Sequence, residues 1–190
     1  MGIDDDDLGG QIIGRYVFIR YEDPSDAFRP YDPRCPEVAA RVAALILDRL
    51  PQVSVEHIGS TAVPGCDGKG VVDLMLTYGP GDLDLARRTL DGLGFQRYTA
   101  PNAHPEDRPV RLGTLRHAGE TFRLHVHVIA VDAPEVETQR QFRDALRADP
   151  ALVAEYVAVK RAALVAGVRD SNQYNVAKDP FIQRVTAKRS

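Results

Sequence analysis

Cysteine is scarce in this chain, with only Cys35 and Cys66 among 190 residues. Two isolated thiols build neither a disulfide framework nor a cysteine-rich zinc site, and a reducing compartment leaves them as thiols. Long apolar runs are missing as well, since none reaches the roughly 18 residues that span a bilayer. The start of the chain carries four aspartates at 4–7, where a secretory leader carries positive charge followed by an apolar stretch. The expectation is therefore a cytoplasmic protein with no membrane partner. Neither sign of charge dominates: a net charge of −3 and a pI near 5.9 give no basic footprint for nucleic acid. No Gly-x-x-x-x-Gly-Lys-Ser/Thr loop occurs, so P-loop kinase chemistry is unsupported.

What is present fits one globular unit. Hydrophobic residues make up 44% and charged residues 27% of a length that fills a single core. Residues 1–29 read as an N-terminal extension: the aspartates as a solvated tail, 12–19 as an edge strand, and Pro24 and Pro30 as signs of loop. Residues 30–190 read as the domain proper. Apolar residues at helical spacing over 36–50, with Pro36 in the first turn and Pro51 beyond the end, predict a helix. Strands are predicted at 53–58 and 71–76, a helix at 82–93 stopped by Gly94, and short strands near 95–98 and 110–116. Over 121–131 the alternation puts Phe122, Leu124, Val126, Val128 and Ala130 on one face and Arg123, His125, His127 and Ile129 on the other. Helices follow at 135–148, at 150–166 and from about 174 to 188, the last interrupted or restarted at Pro180. This order predicts an α+β fold, a mixed sheet flanked by helices with a C-terminal helical segment.

Three local patterns carry chemistry. The first is the turn at Gly59-Ser60-Thr61, where a glycine admits close approach of a ligand and two hydroxyls offer donors to phosphate oxygens. Lys69 supplies a point charge nearby. The competing reading is a tight connection in which Ser60 caps the following turn. The second is Asp73, an ionisable group inside an apolar strand and a hard ligand for a divalent cation. The third is the strand face bearing Arg123, His125 and His127. If it lies beside Asp73, the two imidazoles and the carboxylate suit zinc, manganese or iron. Otherwise Arg123 binds phosphate with a histidine as acid or base, or the histidines are simply hydrogen-bonded on a half-exposed sheet.

Tyr156 with Lys160, and Tyr174 with Lys178, stand four apart on helical faces. The tyrosines read as anchors on the sheet, and the lysines as either phosphate contacts or stems lying over apolar surface. The wider basic set over 160–189, Lys160, Arg161, Arg169, Lys178, Arg184, Lys188 and Arg189 against Asp170 and Asp179, reads either as an attractor for a small anion or, for most of these charges, as a solvated helical face. Glu56 is read as a partner of Lys69 or His57, or as a solvent-facing group.

The run from His57 to Gly65, His-Ile-Gly-Ser-Thr-Ala-Val-Pro-Gly, followed by Lys69 and by Asp73 in an apolar strand, resembles the GrpB family. That family is a branch of the nucleotidyltransferase superfamily, which also contains polymerase-beta-like enzymes. The resemblance extends to the His125-Val-His127 strand and to Phe142-Arg143-Asp144, Leu146-Arg147, Tyr156, Lys160, Tyr174, Lys178 and Phe181-Ile182. Tyr31-Asp32-Pro33 matches its entry motif, with Cys35 where tryptophan is usual, so about 31–187 is covered. The resemblance implies a polymerase-beta-like fold that binds a nucleotide or another phosphorylated small molecule. Nucleoside triphosphate is then the candidate substrate, and a divalent metal, magnesium or manganese with zinc as the other option, the candidate cofactor. Gly59, Ser60, Thr61, Lys69, Arg123, Lys160 and Lys178 would hold phosphate; Asp73, His125 and His127 would bind metal and carry catalysis. One departure stands out. The superfamily places a second carboxylate two residues after the first, and Met75 occupies that position here. A non-catalytic nucleotide-binding module and a metal-dependent hydrolase using Asp73, His125 and His127 are the alternatives this leaves.

Overall fold

In the computed structural model, residues 11–13, 16–19, 21, 28–99, 105–167 and 171–187 are described. The aspartates at 4–7, Pro24, residues 101–104 of the expected loop, and Arg169, Asp170, Lys188 and Arg189 lie outside them.

A mixed sheet of seven strands organises the chain. Two short strands, β1 (Gln11–Ile13) and β2 (Tyr16–Ile19), stand where one edge strand is expected, and Ile13 pairs with Tyr16 across a two-residue connection. Then come α1 (Cys35–Arg49), β3 (Ser54–Ile58), β4 (Val71–Tyr78), α2 (Leu83–Gly92), β5 (Gln96–Arg97), β6 (Val110–His117) and β7 (Glu120–Ala130). The helices α3 (Pro134–Ala148), α4 (Pro150–Val165) and α5 (Ser171–Ala187) close the chain. The spatial order is β1-β2-β6-β7-β4-β3, with β5 also on β6. Among the described residues every pairing is antiparallel except β4 with β7, which is parallel.

The faces divide as the alternation predicts. Val72, Leu74 and Leu76 of β4 and Leu124, Val126 and Val128 of β7 meet Val38, Val42 and Ile46 of α1 and Ala86 and Leu90 of α2 in the main core. Burying each such Val, Ile or Leu side chain contributes roughly 1.5–3 kcal/mol. Pro36 sits in the first turn of α1, where its missing N–H has no helical acceptor to lose, and Gly94 follows α2 in the left-handed region with φ of 93°.

The opposite face is only partly covered. Val136 of α3 seals Ile58, Met75 and Ile129 in a small apolar cluster at one end. Beyond it, α3, α4 and α5 form their own core, in which Phe142, Tyr156 and Phe181 pack ring against ring with centroids 5.1–6.2 Å apart. Val63 and Cys66 from the turn after β3 join it. This packing explains why α5 runs from Ser171 through Pro180 without the expected break: Phe181 and Val185, just past the proline, are held in the apolar cluster. Tertiary burial there outweighs the roughly 3 kcal/mol that a helical proline costs.

Candidate metal and anion site

The gap between the half-covered sheet face and the C-terminal helices is a cleft of about 420 Å³. Such a volume suits a small organic ligand. Parallel pairing of β4 with β7 sets Asp73 directly beside His125 and Met75 beside His127. Because side chains two apart share a strand face, Asp73, His125 and His127 all project into the cleft. Asp73 Oδ1 lies 3.4 Å from His127 Nε2 and 3.6 Å from His125 Nδ1. One donor atom from each of the three falls within 4.8 Å of the others. An ion about 2.1 Å from each donor needs donor separations of about 3.0–3.5 Å at right or tetrahedral angles, so two of the spacings are already near those of a chelate. The side chains are 24%, 26% and 29% exposed, open enough to admit an ion and shielded enough to bind it.

Burial opposes ionisation of Asp73, but the His127 hydrogen bond and the neighbouring His125, His127 and Lys178 charges outweigh it and hold the carboxyl below its usual range. It is a carboxylate at neutral pH and a ready ligand. Two imidazoles with one carboxylate favour zinc, manganese or iron over magnesium, which prefers an all-oxygen shell.

The turn after β3 builds the cleft wall. Gly59 has a φ of 70°, a conformation that lets the chain pass tightly against Asp73 before the 3-10 turn at Ser60–Ala62. Thr61 donates its one hydroxyl hydrogen to the Val71 carbonyl at 2.9 Å, so the 3.0 Å contact with His57 must be donated by His57 Nε2. Burial pushes His57 down to about 4, which keeps this ring neutral. Arg147 Nε donates to the Ala62 carbonyl at 2.9 Å, and Arg123 donates to the Lys69 carbonyl. The turn is thus held from both sides of the fold. Glu56 pairs neither with Lys69 nor with His57: Arg140 and Arg143 of α3 grip its carboxylate at 2.6 and 3.1 Å.

Opposite the carboxylate, lysines gather around one ring. Lys69 Nζ and Lys178 Nζ stand 4.4 and 4.5 Å from the Tyr174 centroid. Burial pushes Lys178 down to about 8, with Asp73 opposing and Lys160 and Lys69 reinforcing that shift. Tyr174 is pushed up to about 12 by burial, and its hydroxyl has no hydrogen-bond partner among the described residues. Lys160, 2% exposed, is no solvated surface charge. It donates to the Asp67 carbonyl, lies 3.3 Å from Cys66 Sγ and covers the Tyr156 ring.

Of the residues singled out from sequence, Gly59, Ser60, Lys69, Asp73, His125, His127, Lys160 and Lys178 line the one cleft. Thr61 and Arg123 do not line it and are buried in the hydrogen bonds just described. Sequence reasoning missed Tyr21, whose hydroxyl lies 2.8 Å from His125 Nε2 on the cleft wall. It also missed Tyr98, Arg108, Val110 and Leu112, which line the end nearest β6. Alternation over 110–116 could have placed Val110 and Leu112 on one face; nothing local marks Tyr21.

A family model described as GrpB protein matches residues 27–188. A UPF0157 protein of Streptomyces coelicolor is 36% identical over 159 residues, 83% of this chain and 81% of that protein. The crystal structure of conserved protein GrpB from Enterococcus faecalis superposes with a TM-score of 0.66 at 23% identity, covering 85% of this chain and 96% of that one. A GLD-2/RNP-8 complex gives a TM-score of 0.50 at 12% identity, over 70% of this chain and 55% of that chain. The fold is nucleotidyltransferase-like.

Proposed function

The chain belongs to the GrpB family, and from that premise we propose that its cleft binds a nucleotide or another phosphorylated small molecule over a divalent metal ion, with nucleotidyl transfer as the reaction. One observation carries this reading: the ligand atoms of Asp73, His125 and His127 converge in the same cleft as Lys69 and Lys178. A metal ion bound there would polarise a phosphoryl oxygen. Ser60, Lys69 and Lys178 would take phosphate oxygens, while Lys160 braces the Asp67 backbone. The Tyr174 hydroxyl, protonated at physiological pH, is a donor without a hydrogen-bond partner among the described residues.

Met75 supports a second reading. It is fully buried beside His127, at the place of the second carboxylate of two-metal transfer. A single-ion site that binds its ligand without transfer, or hydrolyses it with Asp73, His125 and His127, fits that substitution. Calorimetry with each nucleoside triphosphate and Mn²⁺, Zn²⁺ or Mg²⁺, combined with a pyrophosphate-release assay and with metal analysis of tag-free protein, separates the readings. Binding with metal-dependent pyrophosphate release supports transfer; binding without turnover supports the module; loss of phosphate or another group without pyrophosphate supports the hydrolase. No nucleotide affinity and no bound metal would sink all three.

A further inference from the structure

We propose that Tyr21 is a positioning residue for the metal centre, setting the ring orientation and tautomer of His125. The inference rests on the metal reading above and deepens it. Tyr21 lies before the stretch matched by the family, yet its hydroxyl reaches the distal nitrogen of a ligand on β7, 104 residues away, at 2.8 Å. The rings are 5.5 Å apart between centroids and inclined by 50°, so the contact is hydrogen-bonded at the edge and packed along the side. With Nε2 held by Tyr21, Nδ1 is the nitrogen that faces Asp73, at 3.6 Å.

An imidazole that binds a metal through one nitrogen presents its other N–H to an acceptor, and that partner fixes the tautomer. A tyrosine hydroxyl both donates and accepts, so it serves both states of the ring. While Nδ1 keeps its hydrogen toward Asp73, Nε2 accepts from the Tyr21 hydroxyl. Were an ion to take the Nδ1 lone pair, the Nδ1 hydrogen would pass to solvent, Nε2 would take one up, and that hydrogen would be donated to Tyr21 Oη, whose own hydrogen would turn away from the ring. The hydrogen bond would reverse direction with only hydrogens moving. A carboxylate partner could not do this, since ionised it only accepts. His127 differs: its Nε2, not its Nδ1, is the atom turned toward Asp73.

Titrating the full-length metal-free protein with Zn²⁺ and with Co²⁺ tests this, comparing wild type with Tyr21→Phe and Asp73→Asn. Removing an outer partner of a metal-binding histidine typically weakens affinity 10–100-fold, and that loss is expected for Tyr21→Phe, with an altered Co²⁺ absorption spectrum and an unchanged metal-free melting temperature. In wild type, nitrogen-15 imidazole spectra of the Zn²⁺-loaded protein are expected to place the His125 proton on Nε2. Affinity lost in Asp73→Asn but intact in Tyr21→Phe, or a proton found on Nδ1 in the loaded protein, overturns the role of Tyr21 and leaves the metal site standing. No ion bound by wild type, or undiminished binding by Asp73→Asn, overturns the metal site and this inference with it.

Discussion

A Cβ placed on Gly59 would lie 2.5 Å from Oδ2 of Asp73. The turn and the carboxylate are therefore one packed unit, and glycine is required twice over, for its φ of 70° and for its missing side chain. Gly65 offers a control, with a φ of 74° and nothing within 4 Å of where a methyl would sit. Gly65→Ala is expected to cost about 1 kcal/mol from backbone strain. Gly59→Ala is expected to cost about 2–3 kcal/mol and to displace Asp73, abolishing metal binding. Urea unfolding and metal titration of both variants check this; equal losses, with metal binding retained, would refute the packing argument.

Met75 invites the substitution that would restore a second carboxylate. It is sealed under Val136, Ile58 and Ile129, so an aspartate there would be an unpaired charge in an apolar cluster. Met75→Asp is expected to lose about 3 kcal/mol or more, and Met75→Leu less than about 1.5 kcal/mol. Chemical denaturation of the two is the measurement, and similar stabilities would show that the cluster is open to water.

Glu56 ties β3 to α3 through Arg140 and Arg143, and this places α3 over the end of the cleft. Arg143 also donates to the His57 carbonyl, at 3.3 Å. Glu56→Gln is expected to destabilise by about 1–3 kcal/mol, because the partly buried guanidinium of Arg143 loses one of its two carboxylate acceptors, keeping only Asp144, and Arg140 loses the charge of its acceptor. A melting temperature unchanged within a degree would place the clamp among surface ion pairs of no consequence.

Acid should act first through His57. Burial depresses its pKa from 6.5 to about 4, so the unfolded chain takes up a proton that the folded chain refuses. Stability from this group is complete above pH 6.5 and drains away as pH falls toward 4, by about 3 kcal/mol in all. His57→Gln keeps a donor for Thr61 and cannot be protonated. The stability difference between the two proteins is expected to shift in favour of the variant by about 2 kcal/mol between pH 7.5 and 5. Parallel curves across that range would contradict it.

How much of this could be read from sequence follows from the range of each interaction. Asp73 in an apolar strand and the alternating His125 and His127 were legible because a strand's period is local. Their adjacency was not, since it depends on β7 pairing parallel to β4, a choice made by the whole topology. The grip of Arg140 and Arg143 on Glu56 spans 84 and 87 residues and left no local trace. Thr61 and Arg123 looked like ligand contacts by type, yet their polar groups hold the Val71 and Lys69 carbonyls, which composition does not reveal. Pro180 misled for the opposite reason: a strong local rule yielded to the packing of Phe181 and Val185.

The parallel pairing of β4 with β7 has a consequence for how the protein matures. Position 73 meets position 127 only by closing 54 residues of chain, a slow, non-local event that comes after hairpins such as β6-β7 can form. An ion captured by these donors would recognise only the finished sheet and act as a latch upon it, adding about 2.7 kcal/mol at a hundredfold excess over its dissociation constant. Nascent or mispaired chains would carry no cargo, and metal content would then report the fraction of molecules that had completed assembly.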